Sequence, residues 1–147
     1  MGKRIISQAR GHGSHTYRVR KKAFRYRLAY PKMFLGDAEV IKLFNSSAHS
    51  APLAKIKYAK GTFYVPAFKG MIEGQKINAG ETIENGNIVK LKDIPLKTPI
   101  YNIESKPGDG GKFIKTGGNS ARINKIIGED VFVIFPSKKE KKFNPNC

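Results

Sequence analysis

Glycine and proline punctuate this chain so often that the apolar runs between them are long enough for short strands and for little else. Fifteen glycines and eight prolines fall among 147 residues, at Gly70, Gly74, Gly80, Gly86 and in the cluster Gly108-Asp109-Gly110-Gly111. Turns at that spacing are the pattern of small all-β barrels. Between them, Ala54, Ile56 and Tyr58 alternate with Lys55 and Lys57, Lys60-Gly61 offers a tight turn, and Thr62 to Ala67 resumes, so residues 53–67 read as a hairpin. Val40 to Phe44, Asn87 to Ile94, Pro99 to Glu104 and Ala121 to Ile127 read as further strands. Val131 to Phe135 is a continuous apolar run between Gly128-Glu129-Asp130 and Pro136, which predicts a strand buried on both faces. No long helix and no internal repeat is visible. The expected organisation is an extension over 1–35, a barrel over 36–94 and a second barrel over 95–147.

The extension constrains the partner. Its cations are Lys3, Arg4, Arg10, Arg18, Arg20, Lys21, Lys22, Arg25, Arg27 and Lys32, and the first carboxylate is Asp37. A segment without acids cannot neutralise itself by internal ion pairs, so it is expected to stay extended until a polyanion supplies the counter-charge. The whole chain carries 28 Lys or Arg against 11 Asp or Glu, a formal charge of +17. That balance points to nucleic acid or an anionic membrane. The pattern disfavours the membrane. No apolar run approaches the roughly 18 residues of a spanning helix, the extension lacks the apolar face of an interfacial helix, and Ile6 stands where a myristoylation signal needs Ser or Thr. A transit peptide is the competing reading of an Arg-rich start, but Gly11, Gly13 and the cluster Arg18 to Arg27 form no clear amphipathic helix. One cysteine, Cys147, excludes an internal disulfide framework and fits a reducing cytosol.

The extension also interleaves rings with its charges, as Tyr17-Arg18-Val19-Arg20-Lys21-Lys22-Ala23-Phe24-Arg25-Tyr26-Arg27. Rings stack on unpaired bases and Arg grips phosphate bidentately, a mixture that favours structured RNA with loops and bulges over duplex DNA. The alternative is that Phe24, Tyr26 and Leu28 dock on the first barrel while the cations face solvent, and both can hold together. Catalysis finds little support. His12, His15 and His49 sit in polar contexts, and a structural zinc site needs four N or S donors where this chain has one thiol. No Ser, His and Asp set and no suggestive carboxylate pair occurs, so neither an enzyme nor a cofactor is expected. Pro107-Gly108-Asp109-Gly110-Gly111-Lys112-Phe113 departs twice from a nucleotide-binding P-loop, with Phe113 at the Ser/Thr position and Lys106 in place of the first Gly. Two readings of it remain: a turn whose amides, with Lys106 and Lys112, hold an RNA phosphate, or a plain interstrand turn.

The opening Gly2-Lys3-Arg4-Ile5, Arg10-Gly11 with Gly13, the step Ser50-Ala51-Pro52 before a strand, Gly86-Asn87, and Glu104-Ser105 with Pro107 to Phe113 together resemble the universal large-subunit ribosomal protein two family in its archaeal form. The resemblance runs through the whole chain in order. It implies an OB-fold barrel followed by an SH3-like barrel and a cytoplasmic, ribosome-bound protein. It also implies contact with large-subunit rRNA and neighbouring ribosomal proteins, in support of subunit assembly, subunit association and the architecture around the peptidyl transferase centre. By the same resemblance, Lys3, Arg4 and Arg10 match extension positions that meet rRNA, and Gly108, Gly110, Gly111 and Lys112 match the turn of the second barrel. With Arg18, Arg20, Lys21, Lys22, Arg25, Arg27, His49 and Lys106, they complete the candidate RNA-binding set.

Three departures stand out. Asn45-Ser46-Ser47 and His49 occupy a stretch where the family usually shows His-Asp-Pro and then Arg, so a contact there is expected to be weaker. His12 stands where Arg is common in the family, so a phosphate contact there is expected to be weaker. The family also continues beyond the position of Cys147 through a last barrel strand and a basic extension. The expectation is an incomplete second barrel whose open edge is filled by a separate polypeptide or a continuation. A free RNA-binding or RNA-chaperone module is the second functional reading. A DNA-binding architectural protein is the third, weakened by the lack of a recognition helix or a dimerising heptad.

Overall fold

The computed structural model describes residues 2–3, 5–32, 34–80 and 82–147. Among these described residues, eight strands form two four-stranded sheets in which every strand pairing is antiparallel. The first has the order β3-β2-β1-β4, with β1 Gly36–Phe44, β2 Leu53–Tyr58, β3 Gly61–Pro66 and β4 Lys76–Ala79. In the second, β5 Pro99–Ile100, β6 Ala121–Ile127, β7 Asp130–Ile134 and β8 Glu140–Phe143 lie in sequence order. The all-β expectation holds.

Alternation builds the first sheet. Strands β2 and β3 pair from Leu53 with Pro66 to Tyr58 with Gly61, so the turn is Ala59-Lys60, one residue earlier than expected. Ile56 and Phe63 turn inward with Val40, Ala54, Val65 and Ile77 to make one core. Strand β1 carries a bulge between Val40 and Lys42. The extra residue, Ile41, resets the two-residue period, so the inward series runs Ala38, Val40 and then Leu43. The second core gathers Ile100, Ile103, Ala121, Ile123, Val131, Val133 and Phe143. Leu91 belongs to this second core and Ile94 packs against it, whereas Ile88 packs on the first. The boundary between cores therefore falls between Ile88 and Leu91.

Three expected elements differ. Residues 87–94 make no strand: Ile88 forms a lone bridge to Ala79, and Leu91–Asp93 is a 3₁₀ turn. The turn is anchored when Leu91 N donates to Cys147 O (2.9 Å) and Lys92 N to Pro145 O (3.2 Å). The run 99–104 shortens to Pro99–Ile100, after which Ile103 bridges to Phe113. Strand β7 is buried on one face only. Val131 and Val133 are fully enclosed, whereas Ile134 is exposed and Phe132 lies under the Lys125 ammonium at 5.0 Å. The lysine stem covers an outward ring, which a continuous apolar run cannot reveal.

The extension is partly ordered. Ile6–Gly11 forms a short helix, α1, none of whose residues is buried, and Lys21–Ala23 is a 3₁₀ turn. The expectation of a wholly extended tail is corrected there, because local backbone bonds form in spite of the charge. Within the tail, Leu28 is buried and Tyr26 is half-buried.

Candidate nucleic-acid interface

The tail reaches the sheets through its rings. Tyr26 packs against Phe44 at 4.7 Å and Tyr64 at 5.0 Å, while Phe24 stays 55% exposed and stands edge-on to His49 at 5.8 Å. Leu28 and Ala29 then bridge to Tyr64 on β3. From that anchor the chain passes between the two sheets. Ala29 N donates to Tyr64 O (3.2 Å), Tyr30 N to Gly110 O (3.3 Å), and the Tyr30 hydroxyl to Asn102 O (2.5 Å). Lys115 Nζ donates to Leu28 O at 3.3 Å. Burial first, then the Glu104 and Asp109 carboxylates, push the Tyr30 phenol far above its usual range, so it keeps the proton it donates. Burial likewise pushes Tyr101 up to about 12. Docking is realised for Tyr26 and Leu28 but not for Phe24, which stays largely exposed, and Arg18, Arg20, Lys21, Lys22, Arg25 and Arg27 are all exposed around them.

The glycine turn is built differently from either sequence reading. The buried Glu104 accepts from Gly108 N through Oε2 (3.1 Å) and from Gly110 N through Oε1 (3.0 Å). Asp109 accepts from Ser105 N and Lys106 N through Oδ2 and from Gly111 N through Oδ1. Asp109 N and Lys112 N donate to the Lys106 and Ile103 carbonyls. The turn's own carboxylates and carbonyls have taken its amides, so Gly108, Gly110 and Gly111 offer none to a phosphate. Gly110 and Gly111 are also buried, against Ala29 and against Asn102, whose Oδ1 lacks a hydrogen-bond donor and lies at the Gly111 backbone. The turn's two cations, Lys106 and Lys112, keep exposed side chains.

Glu104 therefore acts as a fastener. Glu104→Ala is expected to strand two inward amides and lower unfolding free energy by about 2–4 kcal/mol, from the cost of leaving such groups unpaired. Urea denaturation checks it, and an unchanged midpoint would show that water replaces the carboxylate.

Behind the turn lies a partly open pocket of about 560 Å³ with a largely apolar wall that includes Ile56, Val65, Leu91, Ile103 and Ile114. At its rim Gly117 N donates to Ser50 Oγ (3.1 Å), which locks the Ser50-Ala51-Pro52 step against the second unit. Ile114 and Asn102 both have positive φ, 52° and 51°, and Asn102 N donates to Ile114 O. A β-branched residue in that region is strained, so the junction is held rather than relaxed.

His49 lies beside this junction. Its Nδ1 is 2.9 Å from Ser46 Oγ, and burial, followed by the neighbouring Lys115 charge, lowers its pKa from the usual imidazole value. Lys115 is itself lowered by burial and by Lys112, partly offset by Asp109. Lys115 belongs to this cationic corner although it sits in no motif; only its placement identifies it. Arg20, Lys22, Arg25 and Tyr26 on the tail face Asn45, Ser46 and Ser47 across an open groove. Lys3 and Arg10 are exposed near the chain start, Arg10 with its guanidinium 5.8 Å from the Tyr17 ring centre, and Arg4 lies outside the described residues. Among the described residues no three His, Cys, Asp or Glu side chains cluster as metal ligands, and no helix is long and apolar enough to cross a membrane.

A family model for the C-terminal domain of ribosomal proteins L2 matches residues 84–147, the range that holds the second core, the fastened turn and Lys115. Over its full length the chain is 42% identical to large ribosomal subunit protein uL2 of Archaeoglobus fulgidus, across 154 residues covering 100% of this chain and 64% of the relative. Throughout its length the chain is similar to the L2 family of large-subunit ribosomal proteins. The uL2 proteins of Methanococcus maripaludis and Methanothermobacter thermautotrophicus are 40% and 32% identical, each across 100% of this chain and 65% of the relative. The chain thus spans just under two thirds of the L2 relatives it matches. Its archaeal character, expected from Glu104-Ser105 and the Pro107 to Phe113 stretch, agrees with the source of these relatives.

Proposed function

We propose that the chain is a non-catalytic, structural rRNA-binding constituent of the large ribosomal subunit in the cytoplasm, working beside other ribosomal proteins and supporting subunit assembly, subunit association and the surroundings of the peptidyl transferase centre. In this reading residues 1–35 are the basic extension, 36–94 an OB-type barrel whose last residues, Leu91 and Ile94, pack into the neighbouring core, and 95–147 an SH3-like barrel. One observation carries it: the chain's charge is not neutralised from within. Against 28 Lys or Arg, the described residues form two ion pairs, Lys125 with Glu140 (3.5 Å) and Lys142 with Asp130 (2.7 Å), both on the second sheet. The tail cations face solvent on an ordered, tethered segment, as phosphate ligands must. Phosphate contact belongs to Lys3, Arg4, Arg10, the tail cluster, His49, Lys106, Lys112 and Lys115.

Sedimentation of a native lysate through sucrose, with the chain quantified by mass spectrometry before and after a high-salt wash, tests the reading. Salt-resistant presence in the large subunit supports it. Confinement to light fractions overturns it in favour of a detached RNA-binding module.

His49 gives the interface a pH dependence. With its pKa lowered, the free protein holds it neutral at pH 7, and the unfolded chain takes up the proton more readily, so stability declines as pH falls through about 6.5. A phosphate seated between His49 and Lys115 reverses the local field and favours the imidazolium. RNA affinity is then expected to rise from pH 7.5 to 5.5, with the rise reduced in His49→Gln. Identical pH profiles for the two proteins would place the phosphate elsewhere.

A further inference from the structure

The groove between the tail and the β1–β2 loop has a composition that simple charge neutralisation does not require. On one side stand Arg20, Lys22 and Arg25; on the other stand Asn45 and Ser46; Tyr26 belongs to the same lining. Tyr26 is held by Phe44 and Tyr64 before any ligand arrives. The cations are positioned by a turn in which Ala23 N donates to Arg20 O (2.9 Å) and Phe24 N to Lys21 O (3.1 Å). Phe24 belongs to neither core, is 55% exposed, and is fixed at the groove's margin against His49. A fold gains nothing by holding a bare ring in water beside oriented cations and amide donors.

We propose that this groove seats one unpaired nucleotide of a folded RNA. The inference rests on the rRNA-binding reading above and specifies what that surface selects. A continuous duplex presents phosphates to the cations but keeps its bases stacked, and the deep A-form groove does not admit side chains. A bulged nucleotide offers all three elements. Its phosphate meets the Arg20, Lys22 and Arg25 cluster, its ring lies on Phe24, and its edge reaches the Asn45 amide and the Ser46 hydroxyl. Asn45 donates and accepts through one side chain, and the Ser46 hydroxyl retains hydrogen-bonding capacity beyond its His49 contact.

The experiment compares two RNA hairpins, one carrying a single bulged 2-aminopurine and one fully paired, binding to the full chain and to Phe24→Ala and Asn45→Ala. The full chain is expected to bind the bulged hairpin roughly 10-fold tighter, in keeping with the worth of one base–ring stack. It should also shift the 2-aminopurine fluorescence. Phe24→Ala should abolish the preference and the shift while leaving affinity for the paired hairpin unchanged, with a thermal midpoint equal to the parent's. Asn45→Ala, at an exposed loop position, should narrow the preference without touching Phe24. Equal affinity of the parent for both hairpins, or equal loss on both in Phe24→Ala, overturns the nucleotide seat but leaves RNA binding intact. Failure to bind either hairpin overturns the RNA-binding reading, and the seat with it.

Discussion

Gly110→Val is expected to lower the unfolding free energy by about 2–4 kcal/mol, combining left-handed backbone strain with overpacking of a closed site. Gly110 has φ +82°, and a Cβ there would stand 2.6 Å from the Ala29 Cβ and 3.1 Å from both the Ala29 Cα and the Tyr30 carbonyl oxygen. Two of those three neighbours are backbone and cannot swing aside. They belong to the segment that β3 holds through Tyr64 and that the second unit holds through Asn102 and Lys115, so relief by movement breaks bonds on both sides. Gly108→Ala is the control. Its φ is +81°, yet the nearest neighbour of an added Cβ is Lys32 Cγ at 3.9 Å, so it carries the strain, about 1–2 kcal/mol, without the clash. Urea midpoints of the two variants separate the terms. If Gly110→Val costs no more than Gly108→Ala, the tail segment is not clamped by the turn. RNA affinity is a secondary readout, because losing the clamp frees the cations that Tyr26 and Leu28 otherwise position.

Local pattern was enough where both partners of a contact lie close in sequence. The β2–β3 hairpin is legible because Lys55 and Lys57 mark the outward face, and β6 is legible over Ala121 to Ile127 because Gly128 and Glu129 close it at once against β7. Residues 87–94 have comparable apolar content, but their outcome depends on the Pro145 and Cys147 carbonyls, which take the amides of Lys92 and Leu91 and bend the segment into a turn. Nothing within the window announces a partner so far along the chain. The same limit explains the glycine turn. Exposed amides beside two lysines suggest a phosphate site, and Asp109 and Glu104 look like ordinary surface acids until Glu104 is found buried with both oxygens engaged. The candidate interface was legible as charge and rings, whereas Lys115, Asn45 and Ser46 needed the fold to bring them beside the tail.

Replacing Arg18, Arg20, Lys21 and Lys22 together by Ala is expected to produce the largest loss of RNA affinity. Each duplex phosphate contact that releases counterions contributes about 0.9 to the slope of log affinity against log salt, so four lost contacts flatten it by up to about 3.6. At moderate salt the affinity should fall roughly 100-fold for the same reason. Stability should barely change. All four side chains are exposed, none enters an ion pair among the described residues, and the carbonyls of Arg20 and Lys21 that anchor the 3₁₀ turn survive substitution. A pair of cations away from the tail, Lys138 and Lys139, exposed at the β7–β8 turn, separates specific contact from net charge when its effect is compared per charge removed. Removing those two should move the slope far less if the tail lies on the RNA, and by a proportionate share if only the total of +17 matters. Binding titrations at several salt concentrations give both slopes, and an unchanged slope in the fourfold variant would take the tail out of the interface altogether.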